Sequence, residues 1–248
     1  MTRRLRAVGR LVRSVAHVFH GAAIALFRFP SLDAAQRHAR VRWWSRETLR
    51  LMGLELRIEG ALHEGGALLV ANHVSWLDIT AIHAVAPQAR FVSKAAIQSW
   101  PVLSHLANAA GTLYLERERK RDALRVVHLV AAALKEGQTV AVFPEGTTAD
   151  GRALLPFHAN LLQAAVATGA TVQPVAVRFS DSSGPLSRAV EFVGATTLVE
   201  SLWRVACADG LTVHLTLLAA RSAAGAERRA LARQLQDEIG AQLARHAG

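Results

Sequence analysis

The 248-residue chain has one cysteine, Cys207, so no disulfide can close within it and no Cys-x-x-Cys pair can hold a metal. A lone cysteine of this kind reads as a small buried hydrophobe. The spacing Gly-x4-Gly-Lys-Ser/Thr is absent, which removes a P-loop nucleotide site. Gly-x-Ser-x-Gly, the turn on which a serine hydrolase mounts its nucleophile, is absent too. No clean apolar run reaches the ~20 residues of a spanning helix. Residues 14–30 (SVAHVFHGAAIALFRFP) come nearest, but His17, His20 and Arg28 interrupt them. They also lack a signal-peptide cleavage site. Charged residues make up 19% of the chain against ~25% in an ordinary soluble domain, which leans toward a surface that meets lipid.

The charge that is present is lopsided. Residues 1–50 hold eleven arginines against Asp33 and Glu47, a net of +9 out of +10 for the whole chain. A basic N-terminus favours an anionic partner. The arginines alternate with apolar residues, which suits an interfacial helix better than a nucleic-acid arm. Arg3, Arg4, Arg6, Arg10 and Arg13 are expected at lipid head-group level, with Val15, Val18, Phe19, Ile24, Leu26 and Phe27 dipping below. The alternative is a helix that packs on the core. The chain therefore divides into a basic helical membrane-associating segment, 1–50, and a catalytic domain, 51–248. Apolar residues at 51% are enough to build a sizeable core there.

Within that domain, short apolar or alternating runs are interleaved with helical patterns. Strands are predicted at 54–60, 67–71, 91–94, 112–117, 139–144, 171–179 and 211–219. Helices are predicted over 33–52 with Asp33 as cap, from Ser75 to about Val85, from the charged run at 116–122 to about Leu134, over 157–168 and over 224–246. Strands alternating with helices indicate an α/β fold, a mixed and mostly parallel sheet flanked by helices, with its site at the carboxyl ends of strands.

Three motifs fall at such ends. The first is Asn72-His73-Val74-Ser75-Trp76-Leu77-Asp78, after ALLVA. With His73 in the turn and Asp78 in the first helical turn, the carboxylate can orient the imidazole as a general base. Read blandly, the same residues are a helix start, with Ser75 as cap and Asp78 at the third position. The second is Phe143-Pro144-Glu145-Gly146-Thr147-Thr148, a polar turn suited to hydroxyls or phosphate. The third is Gly111-Thr112-Leu113-Tyr114-Leu115-Glu116-Arg117, whose arginine suits phosphate by its two-pronged geometry.

These motifs in this order, followed by Val172-Gln173-Pro174-Val175, resemble the 1-acylglycerol-3-phosphate acyltransferase family over residues 67 to 178. The resemblance implies a 1-acyl-sn-glycerol-3-phosphate O-acyltransferase. It would act on the cytoplasmic face of the inner cell membrane, held peripherally or monotopically. His73 would be the general base and Asp78 its orienter. Asn72, Ser75, Arg117, Glu145, Gly146 and Thr147 would bind substrate, and Pro174 would shape the acyl or carrier pocket. Acyl-CoA or acyl carrier protein would be co-substrate, a lysolipid the acceptor and an anionic membrane surface the partner. No cofactor, metal or nucleic acid is implied. The sequence departs from the family at Thr148, where an arginine usually follows Phe-Pro-Glu-Gly-Thr. Arg152 is the expected substitute. Lyso-ornithine lipid, whose head has no phosphate, is the alternative acceptor. A non-enzymatic membrane- or nucleic-acid-binding protein is the remote alternative.

Overall fold

The computed structural model of the chain describes residues 3–115 and 120–245. Its helices in chain order are α1 (Arg3–Ala23), α2 (Ala34–Met52), α3 (Leu77–His83), α4 (Pro101–Ala109), α5 (Lys120–Lys135), α6 (Leu162–Thr168), α7 (Leu198–Cys207) and α8 (Arg228–Ala244). Its strands are β1 (Glu55–Glu59), β2 (Ala67–Ala71), β3 (Arg90–Lys94), β4 (Leu113–Leu115), β5 (Val140–Val142), β6 (Thr171–Ser180), β7 (Thr212–Leu217) and β8 (Arg221–Ser222). The sheet order is β1-β7-β6-β2-β5-β3-β4, with β8 paired to β6. Among the strands of the described residues, only the β6–β7 and β6–β8 pairs are antiparallel.

β2 lies at the centre, and all five of its residues are buried. An unbroken apolar run suits a strand covered on both faces. Alternate side chains enter different cores. Leu69 and Ala71 join Leu49 and Met52 of α2, Ile82 of α3 and Val205 of α7. Leu68 and Val70 join Val130 of α5, Leu162 of α6 and Ile239 of α8. Each fully buried leucine contributes about 1.5–3 kcal/mol. Pro174 is buried in β6, opposite Val70 of β2. On its other side β6 changes partner, from β8 at Thr171 and Val172 to β7 from Val175 onward. A residue without an N–H is well placed at such a change of partner. In the sheet Pro174 thus serves the switch of strand partner.

Within the described residues the predicted strands and the helices expected at 33–52 and 224–246 match closely, while residues 116 and 117 of the strand expected at 112–117 lie outside them. Asp33 caps α2 in a reciprocal box with Gln36. α6 starts at Leu162 rather than 157, because the preceding backbone is held elsewhere. Phe157 N–H donates to Gln236, and His158 N–H to the Pro144 carbonyl. α4 and α7 had no counterpart among the sequence expectations. Cys207, at the end of α7, is half-buried against one core.

The N-terminal segment makes an α1–α2 hairpin, turned by a π-helical stretch (Ile24–Arg28) and a 3-10 turn (Phe29–Ser31). One face of α1 packs inward through Ala7, His17 and Gly21. His17 stacks on Trp44 of α2 with centroids 5.3 Å apart. A Cβ at Gly21 would lie 2.2 Å from Trp44 Nε1, so glycine permits the close approach. The opposite face exposes Leu5, Val8, Val12, Val15 and Phe19, and Leu26 and Phe27 continue the exposed apolar surface in the turn. These recur at three- and four-residue spacing along one stripe. The stripe differs from the sequence expectation, since Val18 and Ile24 are half-buried. No helix among the described residues is long and apolar enough to cross a membrane.

Candidate active site

β2 and β5 run parallel and adjacent, so the residues after Ala71 and after Val142 emerge side by side. His73 follows β2 in the turn before α3. Its Nδ1 lies 2.7 Å from Asp78 Oδ2. The same oxygen accepts the backbone N–H groups of Val74 at 2.7 Å and Ser75 at 2.9 Å. A carboxylate can only accept from the ring, so Nδ1 carries the proton and Nε2 presents its lone pair. Asp78 has no exposed side-chain surface, whereas the His73 side chain is 18% exposed. The imidazole is therefore reachable and the carboxylate that orients it is not. The bland cap reading fails here. Trp76 is the N-cap without a side-chain cap bond, and Asp78 itself gathers the turn's donors.

The β5 motif supports this turn. The Phe143 ring stacks on the His73 imidazole at 4.0 Å and 11°, and Phe91 stacks behind it at 5.6 Å. Glu145 is 3% exposed. Its Oε1 accepts from His73 N–H at 2.7 Å, and its Oε2 from Leu155 N–H at 2.8 Å. Burial pushes its carboxyl above the usual range, and the two backbone hydrogen bonds oppose that rise. Ala149 N–H donates to the His73 carbonyl at 2.8 Å. Gly146 adopts φ +73°, a left-handed conformation that glycine takes without strain, and its N–H donates to Phe143.

Several predicted substrate ligands take other positions. Glu145 braces the His73 turn with both of its carboxylate oxygens. Asn72 is 1% exposed, and its side chain pairs with both backbone groups of Val177, at 2.9 and 2.8 Å. It extends the β2–β6 ladder by one side-chain amide. Ser75 is fully buried, and its hydroxyl has no hydrogen-bond partner among the described residues. Thr147 is exposed beside the site. Arg117 follows the end of β4 in sequence and lies outside the described residues.

Thr148, at the position of the missing arginine, donates its hydroxyl to the Phe192 carbonyl. Arg152 is half-exposed and faces two carboxylates, Glu191 at 3.5 Å and Asp150 at 3.8 Å. Neither carboxylate was singled out in the sequence. Asp150 lies two residues from Arg152, a spacing that could have drawn notice. Glu191 is 39 residues away and has no local motif around it. Phe143 belongs to the second motif, but its stacking role depends on a partner 70 residues distant.

A buried carboxylate aligns a reachable imidazole at the carboxyl ends of parallel strands, the usual place for a site in an α/β fold. The sequence model of the family described as Acyltransferase matches residues 53–178. The chain is 35% identical over 242 residues to a lyso-ornithine lipid O-acyltransferase of Pseudomonas aeruginosa, covering 95% of this chain and 93% of that one. It is 39% identical over 196 residues to a 1-acyl-sn-glycerol-3-phosphate acyltransferase of Neisseria meningitidis, covering 78% and 75%. The fold matches the crystal structure of the 1-acyl-sn-glycerophosphate acyltransferase PlsC of Thermotoga maritima with a TM-score of 0.69 at 18% identity, covering 95% and 97%. The chain belongs to the acyltransferase family and is an enzyme of acyl transfer.

Proposed function

We propose that the enzyme moves a fatty acyl group from the thioester of acyl-CoA or acyl carrier protein to the hydroxyl of a lysolipid, with His73 as general base. The observation that carries this reading is the 2.7 Å bond from His73 Nδ1 to buried Asp78, which leaves Nε2 open at the strand ends. The acceptor hydroxyl would donate to Nε2 and lose its proton there as its oxygen attacks the thioester carbonyl. Asp78 would stabilise the imidazolium that forms. Collapse of the tetrahedral intermediate would break the C–S bond, and the imidazolium would return its proton to the departing sulfur. The products are an ester and a free thiol, with no covalent enzyme intermediate.

One acceptor reading is 1-acyl-sn-glycerol-3-phosphate, the substrate named for the Neisseria relative. A second is lyso-ornithine lipid, named for the Pseudomonas relative. The second is favoured specifically by Thr148 standing where a phosphate-binding arginine was expected. The exposed stripe of α1 supports monotopic seating on a membrane surface, and the face we propose is the anionic cytoplasmic one. Acidic substitutions at Val12, Phe19 and Phe27 should then abolish co-sedimentation with anionic vesicles without unfolding the chain.

The deciding assay offers purified protein acyl-CoA and acyl carrier protein donors, with lysophosphatidic acid and lyso-ornithine lipid as acceptors. Thiol release and the ester product are both measured. Thiol release without ester from either acceptor would refute acyl transfer to lysolipids.

A further inference from the structure

We propose that Arg152, Asp150 and Glu191 form the acceptor head-group subsite, and that it takes a head of mixed charge, one carboxylate and one ammonium, rather than a phosphate. This rests on the acyl-transfer reading and refines its acceptor.

Placement comes first. Ala149 N–H is bonded to the His73 carbonyl, and a Cβ at Gly151 would lie 3.5 Å from the Val74 side chain. The loop carrying Asp150 and Arg152 therefore runs along the catalytic turn. Glu191 arrives from the other side. Its neighbour Phe192 donates its N–H to the Val74 carbonyl at 3.3 Å and accepts the Thr148 hydroxyl. All three charged groups thus belong to segments fastened to residues 73 and 74.

Charge comes second. The cluster holds one cation and two carboxylates. Thr148 adds no charge, and its hydroxyl is already engaged. A phosphate monoester here would meet two carboxylates for one guanidinium. An acylated ornithine carries a free carboxylate and a side-chain ammonium, and both find opposite charge. The guanidinium fork suits the carboxylate, and the two acids suit the ammonium.

Looseness comes third. At 3.5 and 3.8 Å the three groups are close enough to attract but too far apart to hydrogen-bond tightly. Arg152 and Asp150 are 49% and 41% exposed in their side chains, and Glu191 is 19% exposed. Asp150 Oδ1 already accepts the Arg152 backbone N–H at 3.0 Å, but Asp150 Oδ2, the Glu191 carboxylate and the Arg152 guanidinium are held only by these long ion pairs and remain open to a ligand.

The rival holder of a phosphate is a cavity of about 620 Å³ that Glu191 lines together with Arg3, Arg4, Arg188 and Arg204. Arg152 does not line it. The experiment separates the two. Full-length enzyme is assayed with one acyl donor and four acceptors: lyso-ornithine lipid, its methyl ester, its side-chain N-acetyl derivative and lysophosphatidic acid. Wild type should prefer the unmodified lyso-ornithine lipid, and either neutralised head should raise KM about tenfold. In the Asp150→Asn, Glu191→Gln double variant, KM for the parent should rise about tenfold with kcat within a factor of two, and the N-acetyl head should no longer be penalised. Arg188→Ala should leave these values unchanged. An equal KM rise for parent and N-acetyl acceptors in the double variant would overturn the subsite. So would turnover of lysophosphatidic acid alone, with KM controlled by Arg188; that result leaves acyl transfer standing. Absence of ester from every acceptor would overturn both.

Discussion

The two ends of α3 carry two histidines ten residues apart, with opposite characters. Before the helix, His73 has a carboxylate on one ring nitrogen, an aromatic ring beneath it and an accessible second nitrogen. At the last turn, His83 is 7% exposed, packs edge-on against Phe91 and shares a 2.9 Å hydrogen bond with the Ala89 carbonyl. Burial drives the His83 pKa down from 6.5 to about 4, with the carbonyl opposing weakly. Residue type does not distinguish a base from a strut. The partner atom and the solvent access do.

The largest expected effect breaks the pair apart in activity. His73→Ala should lower turnover by about 10²–10⁴ and leave the thermal midpoint within a few degrees of wild type. His83→Gln keeps a donor for Ala89 and should do the reverse, leaving kcat intact. A His73→Ala enzyme retaining more than a tenth of the wild-type rate would erase the distinction.

Asp78→Asn comes next. The amide can still accept from Val74 and Ser75, but it no longer stabilises an imidazolium. Turnover should fall nearly as far as in His73→Ala, and stability should fall as well because the site is fully buried. Rate-versus-pH curves together with chemical denaturation check both halves.

Acid should sharpen the contrast from the His83 side. The unfolded chain takes up a proton at His83 near pH 6.5, and the folded chain only near pH 4. Below 6.5 the unfolded state therefore binds more protons, and stability declines until about pH 4. The gap is worth on the order of 3 kcal/mol. The difference in denaturation midpoint between wild type and His83→Gln, followed from pH 7 to 4.5, measures it. A constant difference across that range would exclude the buried, neutral state.

Glu145→Gln is the smallest change. One of the two N–H groups that Glu145 accepts would face an amide NH2 instead of an oxygen, at a cost of about 1–3 kcal/mol in stability. Slight displacement of the His73 turn should lower kcat more than it raises KM.

Legibility followed the range of the interactions. The apolar run of β2, the Asp33 cap and the His73–Asp78 pair could be read from the chain because each is completed within a few residues. Asn72 and Glu145 stand out as site residues in the sequence, but their structural ties do not. Their partners are Val177, 105 residues away, and His73, 72 residues away. α7 does carry a local start signal, Thr197 accepting from Glu200 N–H. It follows the irregular stretch 181–197, where neither helical nor strand periodicity prepares for it. The exposed stripe of α1 was anticipated in kind but not in register, because the inward face was chosen by Trp44 on another helix.

The bond from Glu145 to the His73 backbone has a consequence for how the chain comes alive. It joins two strand ends that are neighbours in the sheet and 72 residues apart along the chain. The Asn72 tie to Val177 spans 105 residues. Loops of that length close late, after local helices have formed. A nascent chain released before β6 would carry His73 and Asp78 together yet lack the frame that holds them. Return of catalytic activity during refolding thus reports completion of the central sheet rather than formation of the motif.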